Sequence, residues 1–413
     1  MERIKVLNKY TGVVCAVIVL MLIVFFHHEI IWDEEWYIEQ IAYIHISGLR
    51  FVINDPAAPM HAVIHYIFSP ITHLHSPQIR LLNFSMCFCI CIIMYRILKM
   101  DKRNTDVSLR YAFSLFLLPG FFLIAFFAIT EAPCLLFYTA SVFFLMKYVL
   151  LEKQNLLHII LAGVFLGFAV LTRQLFLVCI GPACVLVFYT QYKHRWPAVI
   201  LFVIGALLIF GPVFYMWKGM VPSTSFFKTH HEGKHFSIEH VFLSFGYAFF
   251  YFIILMPVYI FQFIKRNWKF IVVIIIIGIS IPSFLMGDGV FAPISGLLSH
   301  LFSDKIVNVI GFVFFKVIEA VSLVLISFLL FELYINRKDF IQVFFVLSML
   351  SILITPVMIL DQFSSRYSMQ IAPVLVMFAY SRIKLIDARM QLGINFIAVA
   401  INIIAVITFF IYS

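Results

Sequence analysis

Residues 13–40 read VVCAVIVLMLIVFFHHEIIWDEEWYIEQ, and they join two stretches of opposite chemistry. The first stretch, residues 13–26, carries no charge, which is typical of a helix that crosses a membrane. The second, residues 32–40, holds four carboxylates among aromatic side chains. Aromatic and charged residues together are typical of a helix at the membrane–water boundary. The stretch therefore predicts a membrane protein whose first loop places carboxylates at the membrane surface.

The whole chain continues this apolar pattern. Of its 413 residues, 63% are hydrophobic and only 12% are charged, about half the charged fraction of a soluble domain. A chain of this kind must bond its backbone polar groups within helices, so we predict an all-α polytopic membrane protein. Its apolar runs predict about thirteen spans, at residues 10–28, 80–98, 110–128, 133–150, 156–172, 174–191, 197–216, 241–263, 270–286, 312–335, 340–359, 368–383 and 392–412.

The basic residues indicate which side of the membrane each loop faces. The net charge is +9, and most of the 29 lysines and arginines fall in alternate loops. Because cytoplasmic loops of membrane proteins carry a basic excess, this charge predicts orientation rather than binding to nucleic acid. The loops at 29–79 and 217–240 then face outward. We expect one domain over residues 1–413, with its functional motif in the first of these loops.

Several common kinds of site are not indicated. The seven cysteines all fall within apolar runs, which favours packing over a disulfide framework or a zinc site. The basic N-terminal segment lacks a small-residue cleavage site, so we interpret it as part of a retained first helix. No GxxxxGKS/T or GxGxxG motif is present, which argues against a soluble nucleotide as substrate. The HHEGKH run at 230–235 shows no fixed ligand spacing, and we expect no metal.

The acidic stretch at residues 32–40 separates into faces when it is read as a helix. Asp33, Tyr37 and Gln40 share one face at i, i+4 and i+7. A carboxylate held at the membrane–water boundary can act as a general base toward a hydroxyl that arrives from water. We favour Asp33 for this role, with Glu34 as its helper. The alternative interpretation is an acidic loop that is merely solvated.

Two arginines at predicted span ends lie on the same outward side. Arg173 and Arg366 suit bidentate binding of a phosphate at the headgroup level. The alternative is that each side chain extends to lipid headgroups. Lys316 and Glu319 lie one turn apart within a predicted span, and they pair with each other if they have no other role. A lipid-carried sugar phosphate fits the set, because its own phosphate is the leaving group.

A series of short motifs runs in order from residue 33 to residue 367. They contain Asp33, Glu34, Trp36, Tyr37 and Gln40, then Asp55, Pro56, Pro59 and Tyr66, then Arg80 and Asn83, then Glu131, then Arg173 and Gln174, then His235, and finally Asp361, Arg366 and Tyr367. In this order the chain resembles polyprenyl-phosphate-sugar-dependent glycosyltransferases of the GT-C superfamily. Its motifs look most like those of the dolichyl-phosphate-glucose α-1,2-glucosyltransferases. Departures include Tyr37 for His, Glu131 for Asp, AAPMHA for a Thr-Pro stretch, and FSS lengthening the last motif.

The resemblance implies a GT-C-like bundle with external juxtamembrane helices and an inverting glycosyltransferase activity. The donor would be a polyprenyl- or dolichyl-phosphate hexose, glucose in the most similar family, and the acceptor a hydroxyl of a glycan or lipid-linked glycan. The reaction would take place on the outer or luminal face of a bacterial plasma membrane or endoplasmic reticulum membrane. Neither a cofactor nor a metal is implied, and the partners are these substrates and membrane lipid, not nucleic acid.

The resemblance also implies roles for individual residues. Asp33 would be the general base and Glu34 would orient it or the sugar, while Arg173 and Arg366 would hold the carrier phosphate. The remaining candidates would line the substrate site, namely Tyr37, Gln40, Asp55, Arg80, Glu131, Gln174, His235, Asp361 and Tyr367.

Three alternative functions stay open on the sequence alone. A transporter or flippase of lipid-linked sugars would need a continuous path of polar residues through several spans. A non-enzymatic subunit would need no converging acid and arginines. Acyl transfer to sugars would need a central histidine beside an acid, for which His61 and His65 are candidates.

Overall fold

The chain folds into helices in every part that the computed structural model describes. The described residues are 2–26, 33–48, 59–100, 105–151, 155–190, 195–222, 237–280, 299, 302–358, 364, 366–382 and 388–412. In chain order the helices of the first half are α1 (Glu2–Phe25), α2 (Asp33–Ser47), α3 (Pro59–Thr72), α4 (Gln78–Met100), α5 (Thr105–Phe113), α6 (Pro119–Phe126), α7 (Glu131–Leu150), α8 (Leu156–Thr172), α9 (Ile180–Thr190) and α10 (Arg195–Trp217). Those of the second half are α11 (Ile238–Leu255), α12 (Pro257–Arg266), α13 (Trp268–Ser280), α14 (Asp304–Ile335), α15 (Phe340–Ile354), α16 (Arg366–Met369), α17 (Ala372–Ser381) and α18 (Ala388–Tyr412).

Seven helices of the described part are long and apolar enough to cross a membrane. They begin and end at Gln78–Met100, Glu131–Leu150, Arg195–Trp217, Ile238–Leu255, Asp304–Ile335, Phe340–Met358 and Arg389–Ile407. The segments Val107–Leu117 and Pro119–Phe126 pass the same test together, with a bend of 75° between them. Shorter apolar helices lie at Tyr10–Phe25, Leu156–Thr172, Gln174–Thr190, Trp268–Ser280 and Ala372–Ser381. An apolar helix therefore stands at every predicted span, and the multi-pass membrane fold is confirmed.

Some predicted spans are interrupted rather than continuous. The span predicted at 241–263 breaks at Met256, where α11 ends and α12 begins with Pro257. A proline has no N–H to continue the helical hydrogen bonds, and it disfavours a helical conformation in the residue before it. The span predicted at 174–191 likewise opens with a 3-10 turn over Gln174–Cys179 before α9. Hydropathy detects the apolar run but not the break inside it.

The chain divides into two compact units. The N-terminal unit comprises Gly12–Phe116 and Phe122–Glu232, and the C-terminal unit comprises Met1–Thr11, Leu117–Phe121 and Gly233–Ser413.

Glycines let α8 and α10 approach closely within the N-terminal unit. A Cβ at Gly163 would overlap the carbonyl oxygen of Phe202, and one at Gly205 would lie 2.7 Å from the carbonyl oxygen of Ile160. Membrane helices commonly use small residues in this way, because van der Waals contact between backbones stabilises their association.

The described part of the first predicted outward loop contains two helices, α2 and α3. Ile41 and Ile44 of α2 pack with Ala62 of α3, and the same buried cluster includes Ile79 and Ala128. This packing fixes α2 and α3 against the beginning of α4 and the segment that precedes α7. The acidic motif is therefore carried by a helix with its own buried face rather than by a solvated loop.

Candidate functional site

Glu34 and Arg80 form a buried, bidentate ion pair between the first turns of α2 and α4. Arg80 donates from Nε to Glu34 Oε1 at 3.0 Å and from Nη2 to Oε2 at 2.6 Å. The Glu34 side chain is 2% exposed and the Arg80 side chain is 0% exposed. Paired hydrogen bonds from a guanidinium fork are among the strongest polar contacts in proteins. The first turn of α2 is therefore fixed to α4.

The same ion pair also bonds to the backbone on both sides. The carboxylate Oε1 of Glu34 accepts a hydrogen bond from the Ala128 N–H at 2.8 Å, and Arg80 Nη1 donates to the Phe26 carbonyl at 2.8 Å. The Arg80 guanidinium lies 5.0 Å from the Phe126 ring centroid. Four chain segments thus meet at one charge pair. Arg80 is bonded within the protein here, and its predicted contact with substrate stays a prediction.

Glu131 and Arg173 form a second ion pair. Arg173 Nη1 donates to Glu131 Oε1, at the point where α7 begins and α8 has just ended. Glu131 is 1% exposed, whereas Arg173 is 15% exposed. Arg173 therefore lies between the buried carboxylate of Glu131 and a partly exposed surface. Gln174 follows Arg173 directly in the sequence. The predicted contacts of both residues with substrate stay predictions, and the structure adds the contact between them.

Two of the three residues predicted to share a face of α2 are shielded from solvent. Gln40 is buried and Tyr37 is half-buried, whereas Glu35 and Glu39 are exposed. The backbone of Asp33 opens the helix, one turn before Tyr37, but its side chain lies outside the described part. The helical spacing places Asp33 next to the anchored Glu34.

Helix α3 carries a buried histidine pair that the predicted glycosyltransferase site does not include. His61 and His65 lie on successive turns of α3, 2% and 0% exposed, with ring centroids 4.5 Å apart. The Tyr37 ring lies 4.9 Å from that of His61. In the described ranges, His61 Nε2 and both ring nitrogens of His65 have no hydrogen-bond partner. Neither ring contacts a carboxylate there, so the structure adds no support for acyl transfer.

Burial keeps this histidine pair neutral. It lowers the pKa of His65 from 6.5 to about 4. It also lowers the pKa of His61 well below the usual value, and repulsion from His65 adds to the effect. The i, i+4 spacing of HAVIH is the sequence signal for this pair, because it places both rings on one face of a helix.

Acid is expected to destabilise the contact between α2 and α3 through these rings. An unfolded histidine binds a proton below about pH 6.5, whereas folded His65 does so only near pH 4, so stability is complete above 6.5 and falls toward pH 4. The loss for His65 is roughly 3 kcal/mol. His65→Phe should flatten this dependence in thermal unfolding of the detergent-solubilised protein. The exposed His75 supplies the control, and an equal flattening by His75→Phe would contradict the prediction.

In the C-terminal unit, the structure places fewer of the predicted residues. Arg366 opens α16, and its Nε donates to Ser364 Oγ at 2.9 Å. Tyr367 packs against the cluster that includes Leu243 and Ile318. Two further candidates of this unit, His235 and Asp361, lie outside the described residues, as does Asp55 of the N-terminal unit.

Lys316 and Glu319 of α14 pair at 3.0 Å, which confirms that these two mid-span charges can compensate each other. Their pairing removes one argument for a transport path.

The fold has the GT-C-like architecture that the sequence predicted. Two solved structures of ArnT from Cupriavidus metallidurans share it. The one bound to undecaprenyl phosphate aligns with a TM-score of 0.55 at 15% identity, over 94% of this chain and 62% of that chain. The apo structure aligns with a TM-score of 0.50 at 14% identity, over 91% and 60%. The chain thus spans less than two thirds of the length of ArnT.

A family model gives a more specific but partial match. The model described as dolichyl-phosphate-mannose-protein mannosyltransferase (PMT) matches residues 71–264, just under half of the chain. Comparison with curated protein sequences gives no match. The matched range includes Arg80, Glu131 and Arg173, and it begins after α2 and at the last two residues of α3, Ile71 and Thr72. The roles predicted for Asp33 and Glu34 therefore rest on the sequence pattern of residues 32–40 and on the contacts of Glu34.

Proposed function

We propose that the protein is an integral-membrane, inverting glycosyltransferase that uses a lipid-phosphate-linked hexose. The observation that carries the proposal is the anchored first turn of α2, where Arg80 engages both oxygens of Glu34. An essential base needs fixed geometry, and this contact fixes the backbone directly beside Asp33. The fold shared with ArnT and the PMT family match support the same chemistry.

Glycosyl transfer assigns a separate task to each charged group. Asp33 takes the proton of the acceptor hydroxyl, and the acceptor oxygen bonds to the anomeric carbon. The bond from that carbon to the phosphate oxygen breaks, and its electron pair leaves with the lipid phosphate. Arg173 and Arg366 stabilise the negative charge that develops on this phosphate. Glu34 already accepts three hydrogen bonds, so we assign it the orientation of α2 rather than proton transfer.

The proposed donor is a polyprenyl- or dolichyl-phosphate hexose, used on the outer or luminal face. Glucose follows from the motif resemblance, and mannose from the description of the matching family. The ArnT structure holds undecaprenyl phosphate, which supports a long polyprenyl carrier. The acceptor is a glycan or lipid-linked hydroxyl. A phosphate leaving group held by arginines needs no metal in this scheme.

Purified protein incubated with a panel of polyprenyl-phosphate sugars and glycan acceptors tests the proposal. We expect one donor to yield a glycosylated acceptor with inverted anomeric configuration, detected by mass spectrometry and NMR. Movement of a lipid-linked sugar across proteoliposome bilayers without any transfer product would instead support the flippase alternative.

Arg366→Lys should weaken donor use more than turnover. Lysine keeps the charge but loses the planar fork, so we expect the donor KM to rise about tenfold with a smaller change in kcat. Steady-state kinetics over a range of donor concentrations measures both constants. Arg389→Lys, at an exposed position of the same unit, is the matched control. An unchanged donor KM in Arg366→Lys would remove Arg366 from the donor site.

A further inference from the structure

One end of the C-terminal unit carries an exposed cluster of cations, which we call the basic end. It comprises two turns, one between α12 and α13 and the other between α14 and α15. Its members are Lys265, Arg266, Lys269, Arg337 and Lys338, all of them exposed.

The two turns lie side by side. The ring of Phe263, near the end of α12, lies 5.3 Å from that of Phe331, near the end of α14. Tyr259 also donates a 2.6 Å hydrogen bond to Glu332. Farther along, Gly278 of α13 faces Ala320 of α14, so the two helices run antiparallel. Both basic turns therefore lie at the same end of the antiparallel helices α13 and α14.

In the described part of the chain, the nearby carboxylates are engaged with groups other than the cations of the basic end. Within the described ranges, none of its five cations pairs with a carboxylate. Asp339 is an exposed acid in the second turn, but its Oδ1 caps α15 by accepting from the N–H groups of Ile341 and Gln342 at 3.1 and 3.2 Å. Glu332 is buried and accepts hydrogen bonds from Arg382 and Tyr259. In the described part of the chain, the cluster therefore keeps a net positive charge.

The surroundings of the basic end are those of a membrane interface. Trp268 and Tyr334 are 57% and 67% exposed. The Lys269 ammonium lies 5.8 Å from the Trp268 ring centroid, and the Arg337 guanidinium lies 4.8 Å from that of Tyr334. Exposed aromatic rings with cations beside them are typical of the headgroup region, where the ring faces the lipid and the charge faces water.

We propose that the basic end binds the phosphates of anionic phospholipid headgroups. The leaflet is the one in which α12 and α14 end and α13 and α15 begin. Clusters of four to eight lysines and arginines beside membrane spans attract acidic lipids, and each cation strengthens the attraction about five-fold. The five cations, which have no carboxylate partner in the described ranges, match this requirement, and the flanking aromatic rings place them at headgroup depth. The inference does not depend on the glycosyltransferase proposal, since none of its residues is assigned to substrate.

Lipid enrichment in nanodiscs tests the proposal. The full chain is reconstituted in a mixture of zwitterionic and anionic phospholipid, and the lipid retained by the purified protein is quantified by native mass spectrometry. We expect anionic lipid to be enriched by wild type, about five-fold less by Arg337→Gln, and not at all by the variant with all five cations changed to glutamine. Lys305→Gln removes an exposed charge from the other end of α14 and should behave as wild type.

The result can overturn the proposal in two ways. Equal enrichment of anionic lipid by wild type and the five-site variant would show that the basic end is not the binding surface. Competition by inorganic phosphate as effective as that by intact anionic lipid would show a site for free phosphate instead. Thermal unfolding of each variant confirms that these exposed substitutions leave the protein folded.

Discussion

Asp33→Asn is expected to lower the rate of glycosyl transfer by about 10²- to 10⁴-fold while the protein stays folded. The amide has nearly the shape of the carboxylate, but it cannot take the proton of the acceptor hydroxyl. Because proton transfer belongs to the transition state, kcat should fall and the donor KM should change little. Single-turnover assays with the accepted donor measure this loss directly.

Two neighbouring carboxylates serve as controls for Asp33. Glu35→Gln makes the same change at an exposed position of the same helix, and its turnover should stay near that of wild type. Glu34→Gln should lower both turnover and the midpoint of thermal unfolding, because the amide cannot maintain the bidentate contact with Arg80. Near-normal turnover in both Asp33→Asn and Glu34→Gln would contradict the catalytic role assigned to this motif.

Apolar runs are sufficient to predict the membrane spans, because whether a segment crosses a membrane depends on the apolar composition of that segment. Their breaks depend on single residues such as Pro257, which a hydropathy window averages away. Likewise, the acidic faces of α2 followed from helical spacing, since Gln40 is buried and Glu35 is exposed. These features lie within one turn or one span, where a single sequence carries the necessary information.

The pairing of distant charges could not be predicted in this way. Glu34 and Arg80 are separated by 46 positions, and Glu131 and Arg173 by 42. A polar residue at a span end has the same local pattern whether its partner is a substrate or another side chain. The motif resemblance assigned all four to substrate or catalysis. The structure shows that they also bond to each other.

Arg80→Leu is expected to decrease the free energy of unfolding by about 3–5 kcal/mol, the usual effect of removing one partner from a buried ion pair. The change leaves the Glu34 carboxylate without its guanidinium and removes the donor to the Phe26 carbonyl. Denaturant or thermal unfolding of the detergent-solubilised protein measures the loss. Arg96→Leu, at an exposed position of the same helix, should have little effect. Equal losses in both variants would show that the Arg80 contact does not stabilise the fold.

Removing both charges separates the ion pair from the space it fills. In the double variant Glu34→Leu with Arg80→Leu, no buried charge is left without a partner, so part of the stability lost in Arg80→Leu should return. Transfer activity should not return, because leucines cannot reproduce the fixed geometry beside Asp33. Recovery of stability without activity would assign the pair to positioning the first turn of α2. Recovery of both would mean that packing alone places Asp33, and that the ion pair is dispensable for catalysis.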